Sequence, residues 1–109
     1  MTDPFCEGQI VTVFRSRLRE DADPRYEALD SSLRARAAEL GGLIEVKSFV
    51  ADDGERATLV TFTDRVSHER WANDDEHRAA QRLGRSSVYA EFSIQVTECL
   101  SAWEFTAPD

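Results

Sequence analysis

A chain of 109 residues with 21 acidic and 13 basic side chains, net charge −8, reads as one domain that lacks the concentrated Lys and Arg of a nucleic-acid or anionic-membrane surface. A domain this small buries only about 65% of the surface its unfolded chain exposes, so a sheet with helices on one face leaves its other face in need of cover. No apolar run is long enough to span a bilayer and no signal-peptide pattern is present, which predicts a cytoplasmic protein. The two cysteines, Cys6 and Cys99, and the two histidines, His68 and His77, lack metal-ligand spacing and are too few for a disulfide scaffold.

Gln9–Leu18 is rich in β-branched and aromatic residues and predicts a strand, with Arg15, Arg17 and Arg19 at its solvated end. Asp23-Pro24 supplies a helix cap followed by proline at the first helical position. Tyr26, Leu29, Leu33, Ala37 and Leu40 then recur at helical spacing as one apolar stripe, and Gly41-Gly42 stops the helix. Leu43–Ala51 and Arg56–Thr63 predict two strands joined through Asp52-Asp53-Gly54-Glu55, where Asp-Gly favours a hairpin. Two short helices follow, one around Trp71 and one beginning near His77 and closing at Gly84. Val88–Phe105 predicts the last strand, so the order is β-α-β-β-α-β, an α+β, ferredoxin-like four-stranded antiparallel sheet.

Along that last strand Val88, Ala90, Phe92, Ile94, Val96 and Leu100 share one parity, and Tyr89, Glu91, Ser93, Gln95 and Thr97 the other. Trp103 and Phe105 fall on the polar parity, which predicts a bulge or bend over 99–102. Eighteen extended residues would reach about 60 Å, wider than a small domain. A tail that crosses to a second subunit would bury both rings. A homodimer is therefore expected.

Trp71, His77, Gln81 and Arg85 gather a ring, an imidazole and a guanidinium around one helix break. That combination suits a pocket for a flat, partly polar molecule. Each residue has a plainer reading beside it. Trp71 can anchor its helix on the sheet, His77 can pair with Gln81 one turn on, and Arg85 can bind helix-end carbonyls. His68 reads as surface. Asp74, Asp75 and Glu76 read as an acidic first turn that complements the helix dipole.

Gly41-Gly42, Gly54–Phe62, Ser67–Arg78 and the long final strand together resemble the antibiotic-biosynthesis monooxygenase family, whose members are dimeric α+β barrels. The resemblance covers most of the chain. It implies one of several activities: cofactor-independent oxygenation of anthrones and quinols, haem degradation, or the roles of small isomerases and stress proteins. The positions of the anthrone oxygenases fall on Thr61, Arg65, Trp71 and Arg85, so the Arg is kept, a Trp replaces a Tyr, and an Asn and a Trp are lost. The haem degraders share Trp71, but their axial His falls on Gln81 and their first-strand Asn on Ser16, which disfavours haem breakdown. His77 matches a His of many ordinary members.

Oxygenation without metal or flavin needs a substrate that becomes the reductant once deprotonated. The protein then supplies a ring-binding wall, a base and a charge for the oxyanion. The expectation is a cofactor-independent monooxygenase of a small aromatic, quinol or polyketide-like substrate. His77 and Arg85 would be catalytic, with Trp71, Thr61, Arg65 and Tyr89 binding substrate; no cofactor and no metal are expected. The competing expectations are a non-catalytic ligand-binding or stress-related barrel, and haem binding without efficient degradation.

Overall fold

The computed structural model describes residues 5–108. Strands β1 (Ile10–Leu18), β2 (Leu43–Val50), β3 (Arg56–Phe62) and β4 (Tyr89–Glu98) form one antiparallel sheet in the order β2-β3-β1-β4. Helices α1 (Tyr26–Leu40), α2 (Arg65–Ala72) and α3 (Asp75–Leu83) lie over one face. The expected α+β, ferredoxin-like order is the observed one.

Helix α1 begins two residues later than Asp23-Pro24 predicts. The Asp23 carboxylate does not cap it, because the Arg25 side chain holds that group from Nε at 3.0 Å and Nη2 at 2.6 Å. The same contact lowers the Asp23 pKa to about 2. The helix still turns its predicted stripe inward, with Ala37 fully buried and Leu29, Leu33 and Leu40 half-buried. The β2–β3 hairpin closes as its Asp-Gly demands: Gly54 sits at φ 88°, and the Ala51 N–H donates to the Glu55 carbonyl at 2.8 Å.

Gly42 couples the end of α1 to α2. Its φ is 79°, and a Cβ there would land on the Ser67 hydroxyl, while the Ser67 N–H is held by the Asp64 capping carboxylate at 2.8 Å. Gly41, at φ 88°, meets only the tip of the Arg70 side chain. Gly42→Ala is therefore expected to cost at least about 2 kcal/mol, a drop on the order of 10 °C in thermal melting. Gly41→Ala carries the backbone strain alone and should cost visibly less. Equal melting temperatures for the two variants would remove the steric argument.

The last strand stops short of its predicted end. Strand β1 begins at Ile10 opposite Glu98, and beyond that pair only Gln9 and Gly8 remain to bond Cys99. Residues 100–108 run without a sheet partner among the described residues, and Trp103 and Phe105 are 85% and 69% exposed. Both cysteines are free thiols.

Candidate functional site

Between the sheet and the helices lies a cavity of about 530 Å³, within the usual range for small-molecule sites. Strand alternation decides its floor. Thr12, Phe14 and Ser16 of β1 face it, as do Arg56, Thr58 and Val60 of β3. Leu29, Leu33 and Ala37 of α1 form much of the roof, and α2 and α3 close it with His68, Trp71, His77 and Gln81.

The helix break brings Trp71 and His77 together. Asp74 caps α3 through the His77 N–H at 3.2 Å, and Arg36 grips the same carboxylate at 2.8 Å, so the first turn of α3 is fixed. The acidic cluster thus serves the helix end, as its composition predicts. The indole and imidazole rings stack at 3.9 Å with 19° between their planes. His77 Nδ1 lies 3.1 Å from the Trp71 carbonyl oxygen. That oxygen can only accept, so the proton sits on Nδ1 and Nε2 keeps its lone pair. Burial pushes the His77 pKa down, against smaller upward pulls from the Trp71 carbonyl and Asp74. The ring is a neutral base near pH 7.

His68 is not the surface residue its polar neighbours suggest. It lies three residues before Trp71 on the same face of α2, lines the cavity and meets the Phe62 ring edge-on at 5.9 Å. Burial lowers its pKa as well.

Tyr89 reaches the cavity by a route that simple alternation misses. The register slips between Arg17 and Leu18, so Tyr89 pairs with Leu18 and joins Phe92 on the inner face instead of sharing the parity of Glu91. Its ring packs edge-on against Phe14 at 5.3 Å and Phe92 at 5.8 Å. Burial, and then Asp30, raise the pKa of its phenol.

Three predicted site residues stand elsewhere. Thr61 falls on the opposite strand parity from Thr58 and Val60; it is 3% exposed but does not line the cavity. Arg65 is exposed in the first turn of α2, outside the cavity wall. Arg85 is exposed in a π-helical segment, Gly84–Val88, that continues α3 past its expected stop. Its carbonyl accepts from Arg19 Nη2 at 3.1 Å, while its side chain makes no hydrogen bond or ion pair with a described residue. The cavity's cations are instead Arg56 and Arg34. Counting parity back from Phe62 places Arg56 on the helix-covered face, a signal that was present in the sequence.

One buried polar atom faces no partner. Thr12 Oγ1, in the cavity floor, makes no hydrogen bond among the described residues. Among those residues there is also no group of three or more His, Cys, Asp or Glu arranged to hold a metal ion, and no helix long and apolar enough to cross a membrane.

No protein-family model matches the chain, and no curated protein matches it. Solved structures do. Rv0793 from Mycobacterium tuberculosis superposes with a TM-score of 0.75 at 13% identity, over 89% of this chain and 100% of that one. SnoaB, a cofactor-independent oxygenase from Streptomyces nogalater, gives 0.65 at 14% identity, over 94% and 99%. An antibiotic biosynthesis monooxygenase gives 0.68 at 10% identity, over 84% and 98%. At such identities the likeness establishes the fold: this chain has the antibiotic biosynthesis monooxygenase-like fold.

Proposed function

We propose that the chain is a cofactor-independent monooxygenase acting on a small aromatic, quinol or polyketide-like substrate, with His77 as its base and Trp71 and Tyr89 in its substrate wall. The observation that carries this reading is the His77 imidazole, stacked on Trp71 in the cavity with its proton committed to a main-chain carbonyl and Nε2 left free. Such a ring is built to accept a proton. An unmade hydrogen bond at Thr12 adds a polar anchor in the floor.

For an anthrone the chemistry balances without a cofactor. Nε2 takes a proton from the ring methylene, and the carbanion passes one electron to dioxygen. The substrate radical and superoxide combine into a carbon-bound peroxide. Loss of the second methylene proton breaks the O–O bond, a carbonyl forms, and hydroxide leaves as water with the proton from the imidazolium. Dioxygen thus accepts four electrons and supplies one atom to the product and one to water. A hydrogen-bond donor near the substrate oxygen would stabilise the first carbanion as an enolate.

The partner expected is a second copy of this chain. The inward residues Ile94 and Val96 of edge strand β4 are 43% and 54% exposed, and the apolar tail runs on beyond them. A copy laid along this edge would cover both.

Oxygen-electrode measurements with metal-free protein and a panel of anthrones and hydroquinones test the reaction. Stoichiometric uptake, with one oxygen atom from labelled dioxygen in the product, is expected for at least one member. Binding of the same compounds without uptake would leave a ligand-binding barrel instead.

A further inference from the structure

The cavity has two unlike ends. Trp71, His77 and His68 form the end under the α2–α3 break, whereas Arg56, Arg34, Tyr26 and Tyr89 line the end where β3 begins. The carboxylates there are taken. Asp30 accepts from Arg34 Nε at 2.9 Å, and Glu27 accepts from the Tyr26 hydroxyl at 3.5 Å. Arg34 is also tied to Ser48 Oγ at 3.0 Å. The Arg56 guanidinium makes no hydrogen bond or ion pair with any described residue, and among the cavity's two arginines only it is uncommitted. Arg15, Arg17, Arg25 and Arg36, by contrast, each hold a carboxylate of this chain.

A guanidinium is a planar fork of five N–H donors that matches a carboxylate in bidentate fashion. We infer that Arg56 receives a carboxylate carried by the ligand, so that the cavity takes an aromatic acid whose rings extend from Arg56 towards Trp71 and His77. The Tyr89 hydroxyl, half-buried on the same end, is the second donor. Helix geometry sets the length of that ligand. Gly84 follows His77 by seven residues, about 10 Å along the helix, and a Cβ at Gly84 would lie 3.0 Å from the Tyr89 ring. A single ring does not bridge that distance, whereas two or three fused rings do. The inference rests on the cavity being the substrate site, as proposed above, and not on its oxygen chemistry.

Anthraquinone-2-carboxylate and its carboxamide, already oxidised and therefore unreactive, isolate binding from turnover. In calorimetric titration the wild-type chain is expected to prefer the carboxylate by about tenfold or more, as for a charge-assisted pair. Arg56→Gln should abolish that preference while leaving carboxamide affinity within about twofold. Arg56→Lys should keep part of it, and Arg82→Gln, on the exposed side of α3, all of it. Added salt should erode the wild-type preference, a check that needs no variant. Equal wild-type affinities for the two probes, failure to bind either, or a preference retained in Arg56→Gln overturns the inference. Carboxylate preference without oxygen uptake would sink the oxygenase alone; uptake with no preference would sink the acid-binding site alone.

Discussion

His77→Ala should lower turnover of an active anthrone or quinol by about 10²–10⁴-fold, the usual contribution of a positioned general base. Substrate affinity should change far less, because a base acts chiefly in the transition state. The wild-type rate should fall as pH drops through the His77 pKa, which burial holds below the ordinary histidine value. The same shift has a stability consequence with a definite sign. Between the unfolded pKa near 6.5 and the lower folded one, the unfolded chain binds the proton more readily. Stability is therefore full above the unfolded value and declines as pH falls through that window. His77→Ala should flatten this part of the stability profile, leaving the contribution of His68, whose pKa is lowered in the same direction. A variant with unchanged turnover, or a wild-type rate indifferent to pH between 5 and 7, would remove His77 from the chemistry.

Deleting Ser101–Asp109 is expected to abolish the proposed dimer and leave monomer or aggregate in light scattering. Trp103 and Phe105 are the most conspicuous exposed rings of the chain. Burying both from each of two copies supplies roughly 10 kcal/mol, comparable to the freedom lost when two proteins associate. Strand β4 also leaves one row of backbone donors and acceptors at the sheet edge. Full-length chain should therefore run as a dimer at micromolar concentration. A truncated chain that stays a well-folded dimer would show that the outer sheet face, with Val11, Val13 and Leu59, suffices.

Element order was legible because each element carries its own local signal. Alternation marks β1 and β3, the Tyr26–Leu40 stripe marks α1, and Asp53-Gly54 marks the hairpin. Element ends were less legible wherever a distant residue decides them. Strand β4 ends at Glu98 because the chain ahead of β1 turns at Glu7–Gly8 and leaves Cys99 as the last residue bonded to it, a limit no property of residues 99–105 reveals. The helix α3 runs into a π-helical segment because Gly84 stays right-handed at φ −55°, where a stopping glycine would have turned left-handed. The site was half legible. Trp71 and His77 meet because a capped helix break fixes their neighbourhood, and that break is written in Asn73–Asp75. Thr61 and Arg65 came from matching positions to a distant family, and Arg85 also from its place just past Gly84; one strand parity or one turn of helix is enough to move such a residue out of the cavity. Arg56 and His68 were readable from periodicity alone.

The acceptor that sets the His77 tautomer is the main-chain oxygen of residue 71, not its side chain. Proton placement is thus separated from wall shape at a single position. Any residue that keeps α2 helical at 71 leaves the imidazole proton where it is, while the surface offered to the ligand changes completely. A lineage, or an engineer, can therefore remodel substrate choice at position 71 without disarming the base beside it. Diversity at this position among active relatives would be a mark of retargeting rather than of decay.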